Sequence, residues 1–369
     1  MVLIMRININ NAQQSGRLLS VDLARGLAVF FMIAVHVLTV FGNLEVQESV
    51  FGQVIQFFGG PPAAPVFMLL MGFSFMYSHK TGLKAKLLRG FMIFLAGYLL
   101  NLLRFVIPFE TGKWLMPDLI ESTLLSELST YTLFTTVDIL QFAGIALMIM
   151  ALIQKMNINK WAILCIAVAV TLISPLLWGI STDVPVVDFF LDLLWGDHKV
   201  PLFENSIAFP LFPWLTFPLL GMFLGETIKF SSDQTKSFKT MGLVGGIVLL
   251  IGAVFVIVNP EYQFNDYYHS RQGAMIFMCG FVMLWLYIAK LLTDRIPPNP
   301  LFELIYKWSR GVTNIYFIHW VIIGWSIGLF GIQNCSYLTI IALILGITVI
   351  SHILNILLGK IQKKKVINR

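Results

Sequence analysis

Apolar residues run along this chain in long blocks broken by short polar connections, and the length of the blocks sets the architecture. Blocks recur near 20–42, 61–78, 86–107, 132–154, 160–181, 206–228, 240–258, 272–292, 311–331 and 337–358. Each has about 18 or more residues, enough for a helix to cross a hydrocarbon core of about 30 Å. The pattern predicts an all-α, polytopic integral membrane protein with about ten transmembrane helices. No polar stretch is long enough to fold apart from them. The expected organisation is a cytosolic tail over 1–19, one membrane domain over 20–359 and a basic tail over 360–369.

Charge then orients the spans. Lys80, Lys84, Lys86 and Arg89 follow the second block, Lys155 and Lys160 bracket the turn after the fourth, and Lys229, Lys236 and Lys239 follow the sixth. Lys290, Arg295, Lys307 and Arg310 fall between the eighth and ninth blocks, and Lys360, Lys363, Lys364, Lys365 and Arg369 follow the tenth. The positive-inside rule puts these connections and both termini in the cytosol. The alternate loops carry acids, among them Glu45, Glu110, Asp118, Asp188, Asp197 and Asp266, and belong outside. Two of them, 108–131 and 182–205, are long for a compact bundle and carry Trp114 and Trp195. They are expected to form re-entrant or lid segments over a cavity.

Composition agrees with this picture and narrows the function. Of 369 residues, 57% are hydrophobic and 12% charged, and the mean hydropathy is +0.82; a soluble domain carries about twice that charge fraction. The net charge of +6 lies at the ends of apolar blocks without a soluble basic face, which argues for membrane topology and against nucleic acid. The first 19 residues lack the apolar core of a cleavable signal, so the chain is expected to stay in the plasma membrane as a multi-pass protein. Cys165, Cys279 and Cys335 are scattered, with no CxxC and no His/Cys cluster, so neither a disulfide framework nor a metal is expected. Phosphate-loop, dinucleotide, zinc-protease and nucleophile-elbow motifs do not occur in a usable context, which removes ATP-driven transport and the commoner hydrolase schemes. The chemistry has to come from scattered intramembrane polar residues.

The first block carries the most telling of them. Ser20-Val21-Asp22-Leu23-Ala24-Arg25-Gly26 opens it, and His36 follows Arg25 with ten residues between. At about 100° per residue, Arg25 and His36 share a helix face roughly 16 Å apart along the axis. Asp22 and Arg25 can pair at the inner boundary, either as an interfacial anchor or with the guanidinium holding a phosphorylated cytosolic cofactor. His36 lies in the outer half of the bilayer, either as a neutral histidine bonded to another helix or as a general base. Asn101 and Arg104 in the third block, and Asp138 and Gln141 in the fourth, stand three apart at comparable depth. Asp138 could orient the His36 imidazole as the carboxylate of a triad does, or pair structurally with Arg104. Asn101, Arg104 and Gln141 are candidate substrate ligands. His319, in Asn314-Ile315-Tyr316-Phe317-Ile318-His319-Trp320, is a second catalytic candidate unless Tyr316 satisfies it. His352 reads as structural, and His79, His198 and His269 as solvated loop residues. The prolines of Phe209-Pro210-Leu211-Phe212-Pro213-Trp214 fit a helix bordering a cavity or an aromatic belt at a helix start.

With these residues in hand, the chain resembles the transmembrane acyltransferase superfamily. The opening Ser20 to Ala28, Pro65-Val66-Phe67-Met68-Leu69-Leu70-Met71-Gly72-Phe73-Ser74, Ile139-Leu140-Gln141, and Phe209 to Trp214 with Gly221 are similar to bacterial relatives of heparan-α-glucosaminide N-acetyltransferase. The Arg25-x10-His36 spacing is also similar to the acyltransferase-3 group, which implies that both residues are essential. The resemblance implies a ten-to-eleven-helix enzyme taking an acyl group from cytosolic acetyl-CoA, with no metal, to a sugar or glycan acceptor on the far side. It also implies an active histidine in the loop after the first span. This chain has no histidine between His36 and His79, which leaves that work to His36 or His319. The other readings of the same polar groups are a transporter path and a non-catalytic lipid- or acyl-CoA-binding protein. Spans this apolar leave the oligomeric state open, a dimer included.

Overall fold

The computed structural model describes residues 18–60, 63–78, 82–117, 129–182, 184–196, 208–297 and 299–367. Its helices are α1 (Leu19–Phe41), α2 (Leu44–Glu48), α3 (Val50–Gly59), α4 (Ala64–Met76), α5 (Leu83–Asn101), α6 (Ile107–Leu115), α7 (Thr130–Thr135), α8 (Ile139–Lys155) and α9 (Lys160–Leu177). They continue with α10 (Pro185–Trp195), α11 (Leu211–Trp214), α12 (Thr216–Lys229), α13 (Gln234–Val258), α14 (Pro260–Phe264), α15 (Gln272–Arg295), α16 (Pro300–Arg310), α17 (Val312–Phe330) and α18 (Tyr337–Ile367). Among the described residues there is no strand, only an isolated bridge between Gly42 and Cys335. Nine described helical stretches are long and apolar enough to cross a membrane, and α8 is a shorter apolar helix. Nine of the ten apolar blocks therefore contain such a helix and the fourth contains the shorter α8, and the protein is an all-α polytopic membrane protein.

Local chemistry explains where the helices depart from the expected limits. The fourth block was expected to be helical from 132, yet α8 begins at Ile139 because Asp138 caps it, accepting from the Ile139 amide at 2.7 Å. Gln141 completes the reciprocal box by accepting from the Asp138 amide at 3.1 Å. At the other end of the chain α18 carries the helix through Ile367, into the segment expected to be a tail. The described parts of the two long loops hold the short helices α6 and α10; residues 118–128, 183 and 197–207, which take in part of both expected lids, lie outside the described residues.

The chain forms two compact units interleaved in sequence. One gathers the described parts of 1–63, 103–127 and 289–369, the other those of 64–102 and 128–288. In the first, α1 is the central helix, packed by α3, α16, α17 and α18, and its apolar side chains Leu23, Ala24, Ala28, Val29, Ile33, Val37 and Leu38 are buried. A Cβ at Gly26 would lie 2.2 Å from the Ile305 carbonyl oxygen, so α16 crosses α1 with its backbone against that glycine. The end of α1 is tied to the loop after α17: the Cys335 amide donates to Phe41 O at 2.7 Å, and the Asn43 amide to Cys335 O at 3.0 Å.

The second unit is held by two helix pairs whose backbones nearly touch. A Cβ on Gly72 of α4 would lie 1.9 Å from Pro218 O of α12, and one on Gly221 of α12 would lie 2.0 Å from Leu69 O of α4. Gly90 of α5 and Gly144 of α8 stand in the same reciprocal relation, at 2.7 and 2.6 Å from each other's carbonyl oxygen. In lipid, where apolar burial between helices gains little, such small-residue contacts supply the packing.

Candidate active site

The polar residues of α1 are engaged within the first unit. Asp22, 4% exposed, accepts from Ser309 Oγ of α16 at 2.7 Å, and Arg25 Nη1 stands 4.0 Å from its carboxylate. The expected Asp22–Arg25 pair is thus present, and Ser309 is a partner that sequence spacing had no means of finding. Burial, then the negative charges of Asp22 and Glu303, push the Tyr306 phenol of α16 up to about 12.

Three turns further along α1, His36 Nδ1 lies 2.9 Å from His319 Nε2. The two rings are stacked at 5.2 Å with 9° between their planes. His319 is fully buried, and its Nδ1 lies 2.9 Å from Ile315 O. These contacts fix the protons. A carbonyl oxygen only accepts, so His319 Nδ1 carries hydrogen and, in the neutral ring, Nε2 is an acceptor. His36 Nδ1 must then be the donor, which makes His36 Nε2 the basic nitrogen of the pair. The partner that sequence reasoning gave to His36 was Asp138; the group found at His36 Nδ1 is His319, and Asp138 spends an oxygen on capping α8. Tyr316, the alternative partner offered for His319, meets it edge-on at 5.4 Å while the ring nitrogens bond to His36 and Ile315.

The wall around the histidine pair comes from a break in the third block. Pro108 lacks an amide hydrogen and its ring crowds the carbonyl four residues back, that of Arg104. The chain answers with a π-helical turn over Leu102–Val106 between α5 and α6. The turn is seated on α17: Trp325 Nε1 donates to Leu103 O at 3.1 Å, and a Cβ at Gly324 would lie 1.9 Å from Arg104 O. Arg104, 2% exposed, is held with its guanidinium 4.2 Å from the Phe105 ring and 4.7 Å from the Trp320 ring. Trp320 in turn lies 4.4 Å from the His36 ring. His36, His319, Trp320 and Arg104 thus form one contiguous cluster.

Asn101 and Gln141 work in the second unit, where both are fully buried. Asn101 Nδ2 donates to Phe134 O at 3.0 Å and to Thr136 O at 2.6 Å; Gln141 Nε2 donates to Thr136 O at 3.1 Å. The amides read from sequence as substrate ligands are therefore occupied in holding the junction between α7 and α8. Spacing alone does not separate an amide facing a ligand from one facing a bared carbonyl.

The loop histidines divide. His79 and His198 lie outside the described residues. His269, expected in solvent, is 2% exposed, with Nδ1 2.5 Å from Asp266 Oδ2 and Trp178 edge-on at 5.3 Å. Burial alone would raise the Asp266 carboxyl, but the hydrogen bond and charge of His269 and the Tyr268 and His269 amides outweigh it and hold the carboxyl below the usual range. A lowered folded-state value contributes stability above the ordinary aspartate range that is lost as pH falls through the folded value. The thermal midpoint of the detergent-solubilised protein is expected to drop below about pH 4, and Asp266→Asn to flatten that part of the profile. His352 accepts from Trp308 Nε1 at 3.1 Å, the structural use expected of it. Trp214, offered as a belt residue, is fully buried, with Nε1 donating to Tyr268 O at 2.8 Å.

Residues 17–260 match the family described as heparan-alpha-glucosaminide N-acetyltransferase, catalytic. No curated protein matches the chain. The match takes in Asp22, Arg25, His36, Asn101, Arg104, Asp138 and Gln141, and ends before His319 and Trp320. With more than half of its 369 residues covered and a fold built of membrane-length helices, this chain belongs to the heparan-alpha-glucosaminide N-acetyltransferase catalytic-domain family of membrane acetyltransferases.

Proposed function

We propose that this protein transfers an acetyl group from cytosolic acetyl-CoA to a hydroxyl or amine of a sugar or glycan on the opposite side of the membrane, with His36 as general base. The observation that carries the reading is the proton assignment of the histidine pair: His319, fixed by Ile315 O, accepts from His36 Nδ1 and leaves Nε2 basic. The group that meets Nε2 must be a donor, and an acceptor hydroxyl or amine is one. As that group attacks the thioester carbonyl, its proton passes to Nε2. The tetrahedral intermediate collapses by breaking the C–S bond, and the CoA thiolate takes the proton back from the imidazolium. His319 is a positioning residue: it keeps Nδ1–H engaged while Nε2 gains and loses its proton.

Orientation follows from the lysine- and arginine-rich connections, which put both termini and Asp22–Arg25 at the cytosolic face. Arg25 is assigned to the phosphates of CoA, a role suited to a guanidinium's paired donors. Arg25→Ala is then expected to raise KM for acetyl-CoA at least tenfold, from the roughly 1.5–3 kcal/mol of a charge-assisted hydrogen bond, with kcat changed much less. Steady-state kinetics at varied acetyl-CoA checks this, and an unchanged KM removes Arg25 from the donor site.

The reading as a whole is tested by release of free CoA from acetyl-CoA by the purified protein across a panel of amino sugars and oligosaccharides. Acceptor-dependent release supports it. Tight CoA binding without turnover on any acceptor would leave the binding-protein alternative standing instead.

A further inference from the structure

Trp320 differs from three other tryptophans that are held by their indole nitrogens. Trp214, Trp308 and Trp325 each donate their indole N–H, to Tyr268 O, His352 Nδ1 and Leu103 O, at 2.8, 3.1 and 3.1 Å. Trp320 Nε1 is buried and has no hydrogen-bond acceptor among the described residues. An indole nitrogen can only donate, and a buried donor without an acceptor is rare in native proteins because it forfeits its bond to water. Its surroundings say what kind of acceptor would suit it. The centroid of the Trp320 ring lies 4.4 Å from that of His36 and 4.7 Å from the Arg104 guanidinium, so the indole belongs to one cluster with a fixed positive charge and the basic histidine. An oxygen that gains negative charge as His36 takes a proton fits all three groups.

Building on the function proposed above, we infer that the Trp320 indole N–H, with Arg104, receives the carbonyl oxygen of the donor thioester as it becomes an oxyanion. The acceptor's O–H or N–H proton goes to His36 Nε2, its lone pair forms the new bond to the carbonyl carbon, and the carbonyl π pair moves onto the oxygen facing Trp320 and Arg104. When that pair re-forms the double bond, the C–S bond breaks and the CoA thiolate leaves with the proton from His36. Trp320 is on this account a catalytic residue, because it touches the reacting atom. Preorganised donors of this kind act on the transition state more than on the bound substrate.

The test is Trp320→Phe, which keeps an aromatic face for Arg104 and His36 and removes the N–H. A second variant carries 3-benzothienylalanine at position 320, which keeps the bicyclic shape and replaces the N–H by sulfur. Both are expected to lose about 10²–10³-fold in kcat, with KM for acetyl-CoA within about twofold of wild type and the midpoint of the pH–rate profile unmoved. Variants turning over within threefold of wild type, beside an inactive His36→Ala, would overturn the Trp320 assignment and leave the base standing. A rise in KM for the acceptor with kcat intact overturns it too, by placing the N–H in ground-state binding. An active His36→Ala sinks the base and the oxyanion donor together.

Discussion

Replacing His36 by alanine is expected to lower kcat for acetyl transfer by about 10²–10⁴-fold, the range over which a positioned general base acts. KM for acetyl-CoA should move little, because the imidazole engages the acceptor's proton and not the donor's phosphates. The effect is specific to one nitrogen. His319→Gln keeps a side-chain oxygen that can accept from His36 Nδ1, whereas His319→Ala removes the acceptor altogether. The glutamine variant should therefore retain more activity than the alanine variant, and both more than His36→Ala. Equal CoA release by wild type and His36→Ala, measured on folded protein at saturating acceptor, rules out His36 as the base. If the two His319 variants match each other, the inferred tautomer is wrong, because it requires an acceptor at His36 Nδ1.

Gly221→Leu is expected to abolish recovery of folded protein. The neighbour of the missing Cβ is the Leu69 carbonyl oxygen at 2.0 Å, with Phe73 N at 2.9 Å; both are backbone, so no rotamer change makes room. The α4 and α12 axes must separate, which also lifts Gly72 off Pro218 O and opens the most intimate helix contact of the second unit. Overpacking a core costs about 1–3 kcal/mol where side chains can yield, and here they cannot. Gly246→Leu is the control: nothing lies within 4 Å of a Cβ there, and it should purify and melt like wild type. Monodisperse yield in detergent and the thermal midpoint distinguish the two. A Gly221→Leu protein as stable as Gly246→Leu would mean that the α4–α12 approach is looser than described.

What the sequence made legible follows from the range of the forces involved. Membrane helices are specified by local apolar length, so all ten blocks could be read directly. The same holds for Asp22 with Arg25, three apart on one helix. Caps were within reach of the spacing: Asp138 and Gln141 carry the box that starts α8, while their place inside an apolar block drew attention to chemistry instead. The His36–His319 pair was not legible as a pair, because the residues are 283 apart and neither helix has a one-sided polar stripe that would reveal its partner. Trp320 escaped notice for a related reason: a tryptophan in an apolar helix looks like packing until its N–H is seen to be buried without an acceptor. Pro108 went unread as a break, and its use, turning Arg104 toward α17, depends on Gly324 in a helix far along the chain.

The interleaving of the two units also bears on how the protein is made. α1 is synthesised well before α16 and α17, and two of its polar residues bond to groups on those helices: Asp22 to Ser309 and His36 to His319, 287 and 283 residues later. At about 5–20 residues per second, α1 is synthesised roughly 15–60 s before those partners exist. For that interval a carboxylate and an imidazole need shelter from lipid, in the translocon, in an insertion chaperone or at the headgroup level. The helices that release α1 into its final place are α16 and α17, so a chain cut at residue 300 leaves α1 without the partners its polar side chains require.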